Sequence, residues 1–291
     1  MNQPRRTATM WVVCLGSASV ASMAVAPSKT QPRPAPAAIR PAQDVMPDPA
    51  ATASDRAFEE RLAALDTAMG RVADFRANFE QRKYTPLLKK PLESRGILTS
   101  RGRLVRWETT QPRHLIVVIE PAPEAQPRGA AGEDAPNTPA TPFQPTRAAA
   151  PGEIRVYYPA EGLCEVYPID GALSDLAGAP LPRLADLRTR FSLMPIPASE
   201  LGGPVGNPAF IGLLLLPATD QVRTHLESIK VLIDETIPAA TKVVVSDGDG
   251  ERTEIVLTAI RTNTGLTEAD VRLSLPTDVR LSRPLGVGQP R

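Results

Sequence analysis

The residue types able to do chemistry are few and scattered in this sequence. Two histidines occur, His114 and His225, and neither has a second His or a Cys at a spacing that would let both reach one metal ion. The two thiols are Cys14 and Cys164. Cys14 falls in an apolar N-terminal run, which leaves Cys164 as the thiol of the mature chain. It has no partner for an intramolecular disulfide, and on a strand it reads as a small core hydrophobe. The "DGDG" of Asp247 to Gly250 is similar to the opening of a calcium loop. It lacks the third ligand and the glutamate that closes the twelve-residue frame, so between two strands it reads as a hairpin turn. Asp234 and Glu235 are neighbours on an extended segment and point to opposite faces, which separates them as an acid/base pair. No nucleophile elbow, phosphate-cradling loop or paired-cysteine motif is present. The sequence therefore nominates no catalytic residue, no metal ligand and no cofactor.

The charge balance is nearly neutral, with 33 Lys plus Arg against 32 Asp plus Glu, and no basic stripe that would track a nucleic-acid backbone. The first residues carry Arg5 and Arg6, then an uncharged run from Met10 to Ala26 ending in Ala-Val-Ala. This is the anatomy of a secretory signal peptide over residues 1–26, and it places the mature protein outside the cytoplasm. The context of Cys14, "WVVC", lacks the small residues that precede a lipidated cysteine. Much of the proline, 32 residues in all, falls in segments without apolar periodicity. Residues 27–53 read as a disordered Pro/Ala-rich tether, and residues 121–152 as a disordered insertion between two strands. The folded domain is expected over 54–286.

Stepping from residue types to elements, Phe58, Leu62, Leu65, Met69 and Val72 recur at spacings of three and four, which predicts a helix capped at Ser54 or Asp55. The chain then changes to a period of two. "HLIVVIE" (114–120), "EIRVYY" (153–158), "LCEVY" (163–167) and "ESIKVLIDE" (227–235) predict strands, and "TKVVVSDGDGERTEIVLTAI" (241–260) predicts a hairpin. "DVRLSLPTDVRLS" (270–282) also reads as extended. Leu173 with Leu176, and Leu184 with Leu187, Phe191 and Met194, predict two short helices separated by Pro180 and Pro182. The resulting class is α+β: a strongly curved, largely antiparallel sheet with helices over its concave side.

The stretch Val72 to Glu120 then becomes specific. Phe79 and Gln81 match an F-x-Q signature on a strand, Gly96 matches a glycine-containing strand, and Trp107 with Pro112 matches a W-x-x-x-x-P strand end. In this order and spacing the chain resembles the LolA-like family of periplasmic outer-membrane lipoprotein carriers, in a divergent branch, and "LTEADVRLSLPTDVRLSRPL" (266–285) resembles that family's closing strands. The resemblance implies an incomplete β-barrel covered by helices. It also implies a cavity for lipoprotein or lipid acyl chains, a lid-closing role for Arg101, and partners at an inner-membrane release complex and an outer-membrane acceptor. The insertion 121–152 and the N-terminal tether depart from the family pattern.

From the residues themselves, "HLIVVIE" is apolar on both faces, so one face can line a pocket or fill a core with the same aliphatics. Trp107, Leu115, Val117, Ile119, Leu187 and Phe191 are the candidate ligand-binding residues. Arg101 can instead be a solvated turn arginine. The expectation is a monomeric, non-catalytic periplasmic carrier of acyl chains that moves cargo toward the outer membrane and binds no nucleic acid. The alternatives are an envelope adaptor with a filled core, and a hydrolase of acylated substrates.

Overall fold

The computed structural model describes residues 49–120, 152–169, 184–224 and 226–284. The expected signal segment with Cys14, most of the expected tether, the expected insertion up to residue 151, the helix expected around Leu173 and Leu176, His225 and residues 285–291 lie outside them.

The chain opens with helix α1, Pro49–Met69. It begins earlier than the expected cap at Ser54 or Asp55 and takes in the end of the expected tether. Pro49 suits a first helical position, and Ala50, Ala51 and Ala53 are strong helix formers. The helix stops at Gly70, whose amide closes on Asp66 O at 2.9 Å. Val72 therefore lies beyond the helix, where it packs against the strands.

Twelve strands follow in one sheet: β1 (Asp74–Tyr84), β2 (Leu92–Arg101), β3 (Leu104–Gln111), β4 (Leu115–Glu120), β5 (Gly152–Tyr158), β6 (Leu163–Ile169), β7 (Phe191–Ile196), β8 (Phe210–Pro217), β9 (Ser228–Asp234), β10 (Ala239–Ser246), β11 (Arg252–Thr262) and β12 (Arg280–Ser282). Their spatial order is β12-β6-β5-β4-β3-β2-β1-β11-β10-β9-β8-β7. The two ends do not pair, so the sheet is an open half-barrel. Every pairing is antiparallel except β12 with β6. The short helices α2 (Leu184–Arg188), α3 (Asp220–Arg223) and α4 (Glu268–Val271), with 3-10 turns at Pro159–Glu161 and Ala198–Leu201, complete the described elements.

Alternation along each strand sends one residue set to the concave face. On the β1–β6 side and on β11 this set is Phe75, Ala77, Phe79, Leu98, Val105, Leu115, Val117, Ile119, Ile154, Val156, Ile255 and Leu257. On β7–β10 it continues through Phe191, Ile211, Leu213, Leu215, Val231 and Ile233, on which Leu62 and Leu65 of α1 and Leu184 and Leu187 of α2 pack. Val243 on β10 touches both groups. A fully buried Leu contributes about 1.5–3 kcal/mol, so Leu62 and Leu65 hold α1 to the sheet more strongly than any polar contact it makes.

Two expected elements differ. Phe191 and Met194 were assigned to a helix with Leu184 and Leu187, but the helix ends at Arg188 and Phe191–Ile196 is the edge strand β7. Pro195 explains this: proline is excluded from a helix interior yet tolerated on an edge strand, and β8 offers a free edge. The segment 270–282 is also not a strand pair. Thr267 and Asp270 form a reciprocal capping box that starts α4, and the chain then runs irregularly to the three-residue β12. It crosses the convex face as a strap, where Leu273, Leu275 and Val279 cover Ile116, Val118, Cys164 and Val166. Cys164 is accordingly buried, and burial pushes its thiol above the ordinary value, with nearby carboxylates adding to the effect and Arg155 opposing it.

Candidate functional site

The motif residues Phe79, Gly96 and Trp107 meet on the concave face. Phe79 pairs with Gly96 across β1 and β2, and Trp107 lies on the neighbouring β3. The two rings make an edge contact with centroids 5.1 Å apart and planes at 65°. Gly96 is needed because a Cβ there would sit 1.9 Å from Glu108 O and 2.8 Å from the Phe79 ring. Beyond this aromatic step the register sets Trp107 opposite Val117, Val105 opposite Ile119, and Thr109 opposite Leu115. Trp107 is half-buried, while Leu115, Val117 and Ile119 are buried. Four of the candidate ligand-binding residues thus form one patch of wall on β3 and β4. The other two, Leu187 and Phe191, are buried in the separate cluster beneath α1. The six residues share the concave side without forming one contact set.

Helix α1 is the cover over the β7–β10 side, and among the described residues its polar ties are few. Arg61 grips the rim of the sheet: Nε and Nη2 each donate to a Glu235 carboxylate oxygen at 2.8 Å, and Nη2 also reaches the carbonyls of Pro208 and Phe210. Asp66 accepts the Leu184 amide at 2.7 Å, which caps the start of α2. Glu59 pairs with Arg188 at the surface, where such a pair contributes little. Arg61 was not nominated from the sequence. One arginine in a helical pattern gives no sign of its acceptor, and the neighbour of Asp234 that it needs, Glu235, lies far along the chain.

Arg101 has a different position from the one the resemblance implied. It pairs with Asp74 and Leu104, and the intervening Ser100 pairs with Phe75 and Val105 of the inner cluster, so Arg101 faces the convex side. Its Nη1 donates to Leu266 O, in the loop just before α4. Its acceptor therefore belongs to the strap and not to α1 or α2. The arginine-glycine corner is a tight turn: Gly102 has φ +54°, and its amide bonds Ala73 O at 3.1 Å.

The same strap is held by Asp74. Its carboxylate accepts the Thr264 amide and hydroxyl at 2.7 and 2.9 Å and the Gly265 amide at 2.9 Å. Burial raises its pKa, but these hydrogen bonds outweigh burial and hold the group below its ordinary 3.8. Arg106 adds a bond to Arg272 O at 3.3 Å and chelates Glu108. Burial also raises Glu108, yet bonds and charge from Arg106 and His114 hold it below the ordinary carboxylate value. His114 meets Glu108 at 3.1 Å on this outer side, away from the concave wall. A recess of about 320 Å³ remains under the strap, lined by Arg76, Thr99, Arg106, Glu108, Asp270 and Arg272 among others.

At the hairpin turn Asp247–Gly250, Asp247 Oδ1 accepts the amides of Asp249 and Glu251 at 3.1 and 2.9 Å. That carboxylate oxygen is thus used in shaping the turn.

No protein-family model matches this sequence, and no curated protein matches it. Among solved structures it is similar to a DUF1329 family protein from Desulfovibrio piger ATCC 29098, at 13% identity and a TM-score of 0.38, over 78% of this chain and 98% of that one. It is also similar to a domain described as an outer membrane lipoprotein-sorting protein from Vibrio parahaemolyticus, at 13% identity and a TM-score of 0.33, over 73% and 96%. A LolA superfamily protein from Nitrosomonas europaea aligns at 9% identity and a TM-score of 0.36, over 74% and 97%.

Proposed function

We propose that this protein is a non-catalytic periplasmic carrier that takes acyl chains of lipoproteins or lipids onto the concave face of its half-barrel, for transfer toward the outer membrane. The observation that carries this reading is an apolar wall continuous from β6 to β7 in a sheet that does not close on itself. Over its β7–β10 side lies a helix whose polar ties, among the described residues, are little more than Arg61, Asp66 and Glu59. An apolar concavity with few polar groups is the usual form of a site for apolar ligands. The wall residues are buried here, and acyl chains replace the side chains of α1 when it lifts. The expected export signal in residues 1–26 supports the periplasmic setting, and hand-over to an inner-membrane release complex and an outer-membrane acceptor follows from the same reading.

An adaptor with a filled core shares the same closed wall. The two readings part on whether α1 moves. An apolar fluorescent probe, displaced by a free fatty acid, tests this on wild type and Arg61→Ala. The carrier reading expects saturable binding that tightens in Arg61→Ala, because less energy is spent opening the lid. Absence of saturable binding in both proteins, with folding intact, supports the adaptor instead.

A further inference from the structure

The inner face carries one polar feature that the acyl-chain reading does not use. Glu165 on β6 pairs with Val156, a residue of the inner apolar cluster, so its carboxylate faces the concave side. Tyr158 and Tyr167 flank it on the same face, opposite Leu163 and Ile154, and both pack against the inner cluster. The Tyr167 hydroxyl donates to Glu165 Oε2 at 2.8 Å and the Tyr158 hydroxyl to the same oxygen at 3.4 Å. Oε1 has no hydrogen bond among the described residues. Glu165 also has no ion pair there. Arg113 is engaged with Glu161, and Arg155 lies on the outer face with Glu153 and Glu120. Burial and the Glu165 charge raise both phenols, which keeps them as neutral donors.

We propose that Glu165, Tyr158 and Tyr167 form a head-group subsite at the rim of the wall, for an amphiphile bearing an ammonium group. This rests on the carrier reading above. Glu165 is half-buried beside apolar surface, takes both phenol bonds on one oxygen and leaves the other to accept from an ammonium ion. Tyrosine rings next to that carboxylate add cation–π attraction. The subsite lies near an edge of the sheet, since β6 is followed only by the three-residue β12. A head group bound here leaves its chain to run over Ile154 and Val156 of β5 and Val117 of the neighbouring β4.

The test compares head groups on one chain length. Dodecyltrimethylammonium, dodecylammonium, dodecanol and dodecyl sulfate are each used, below micelle formation, to displace an apolar fluorescent probe from the full-length mature protein. Butylammonium serves as the head group without the chain. Wild type is expected to prefer the two cationic amphiphiles over dodecanol by about tenfold, the scale of one charge-assisted contact. Glu165→Gln is expected to lose that preference while dodecanol binding stays the same. Tyr167→Phe is expected to keep it, because the carboxylate carries the selectivity. Equal binding of cationic and neutral amphiphiles by wild type overturns the proposal, as does a preference that survives in Glu165→Gln. Butylammonium binding as tightly as dodecylammonium also overturns it, by placing the ammonium on a soluble ligand such as a lysine side chain. If dodecanol fails to displace the probe from both wild type and Arg61→Ala, the carrier reading falls and the subsite with it. If dodecanol binds and only the preference is missing, the subsite alone falls.

Discussion

Gly96 has no space for a side chain, because Glu108 O and the Phe79 ring occupy the position of its Cβ. Gly96→Ala is expected to separate β2 from β3 or displace Phe79, at a cost of about 3 kcal/mol or more, read as a fall in the unfolding midpoint. The glycine could be recognised in the sequence from its place between Phe79 and Trp107, but the carbonyl that forbids a Cβ could not. Asp74 is a second residue whose role only the structure gives. Its folded pKa is depressed, so it stabilises the fold fully above the ordinary carboxylate value, and that contribution is lost as pH falls through the depressed one. Asp74→Asn is expected to cost about 2 kcal/mol at neutral pH. The difference in melting midpoint between the two proteins is expected to shrink as pH falls from 3.8 through the depressed value, below which both side chains are neutral. A difference that stays constant into acid would mean that the carboxylate's charge is not what holds Thr264 and Gly265.

At the scale of elements, strands with clean alternation were legible and the segments near prolines were not. Ile229, Val231 and Ile233 face inward on β9 as their spacing required. Phe191 and Met194 fit a helical spacing, but Pro195 and the open edge of β8 made the strand the better solution. The segment 270–282 alternates like a strand pair, but Val271 closes α4, Leu273 and Leu275 lie over the convex apolar patch, and strand pairing is confined to Arg280–Ser282. Arg61 and Arg101 are separated by the element each one ties. Arg61→Ala removes a partly exposed bidentate pair of about 1 kcal/mol, which corresponds to roughly a fivefold shift toward the lifted position of α1. Arg101→Leu is expected to loosen the strap and leave α1 in place. Limited proteolysis distinguishes them: earlier cleavage within 263–279 in Arg101→Leu, with apolar-probe affinity unchanged. If Arg101→Leu raises probe affinity as Arg61→Ala does, the strap and the lid are one coupled unit.

For the whole molecule, the open antiparallel sheet with helices on its concave side followed from the count of alternating segments and from the apolar stripe of the first helix. Strand order did not, because β1 pairs with β11 across most of the chain and no local pattern announces that closure. The same long-range pairing makes one apolar wall from strands far apart in sequence, and the proposed acyl-chain binding depends on that wall. The most direct test is native mass spectrometry of the protein purified from an envelope fraction without detergent exchange, alongside Arg61→Ala. The carrier account predicts adducts of acyl-chain mass on the wild type, a changed occupancy in Arg61→Ala, and release of the same lipids on denaturation. A homogeneous, adduct-free mass for both proteins, with both resistant to loading by added lipid, would contradict it and leave the concave face as a filled core.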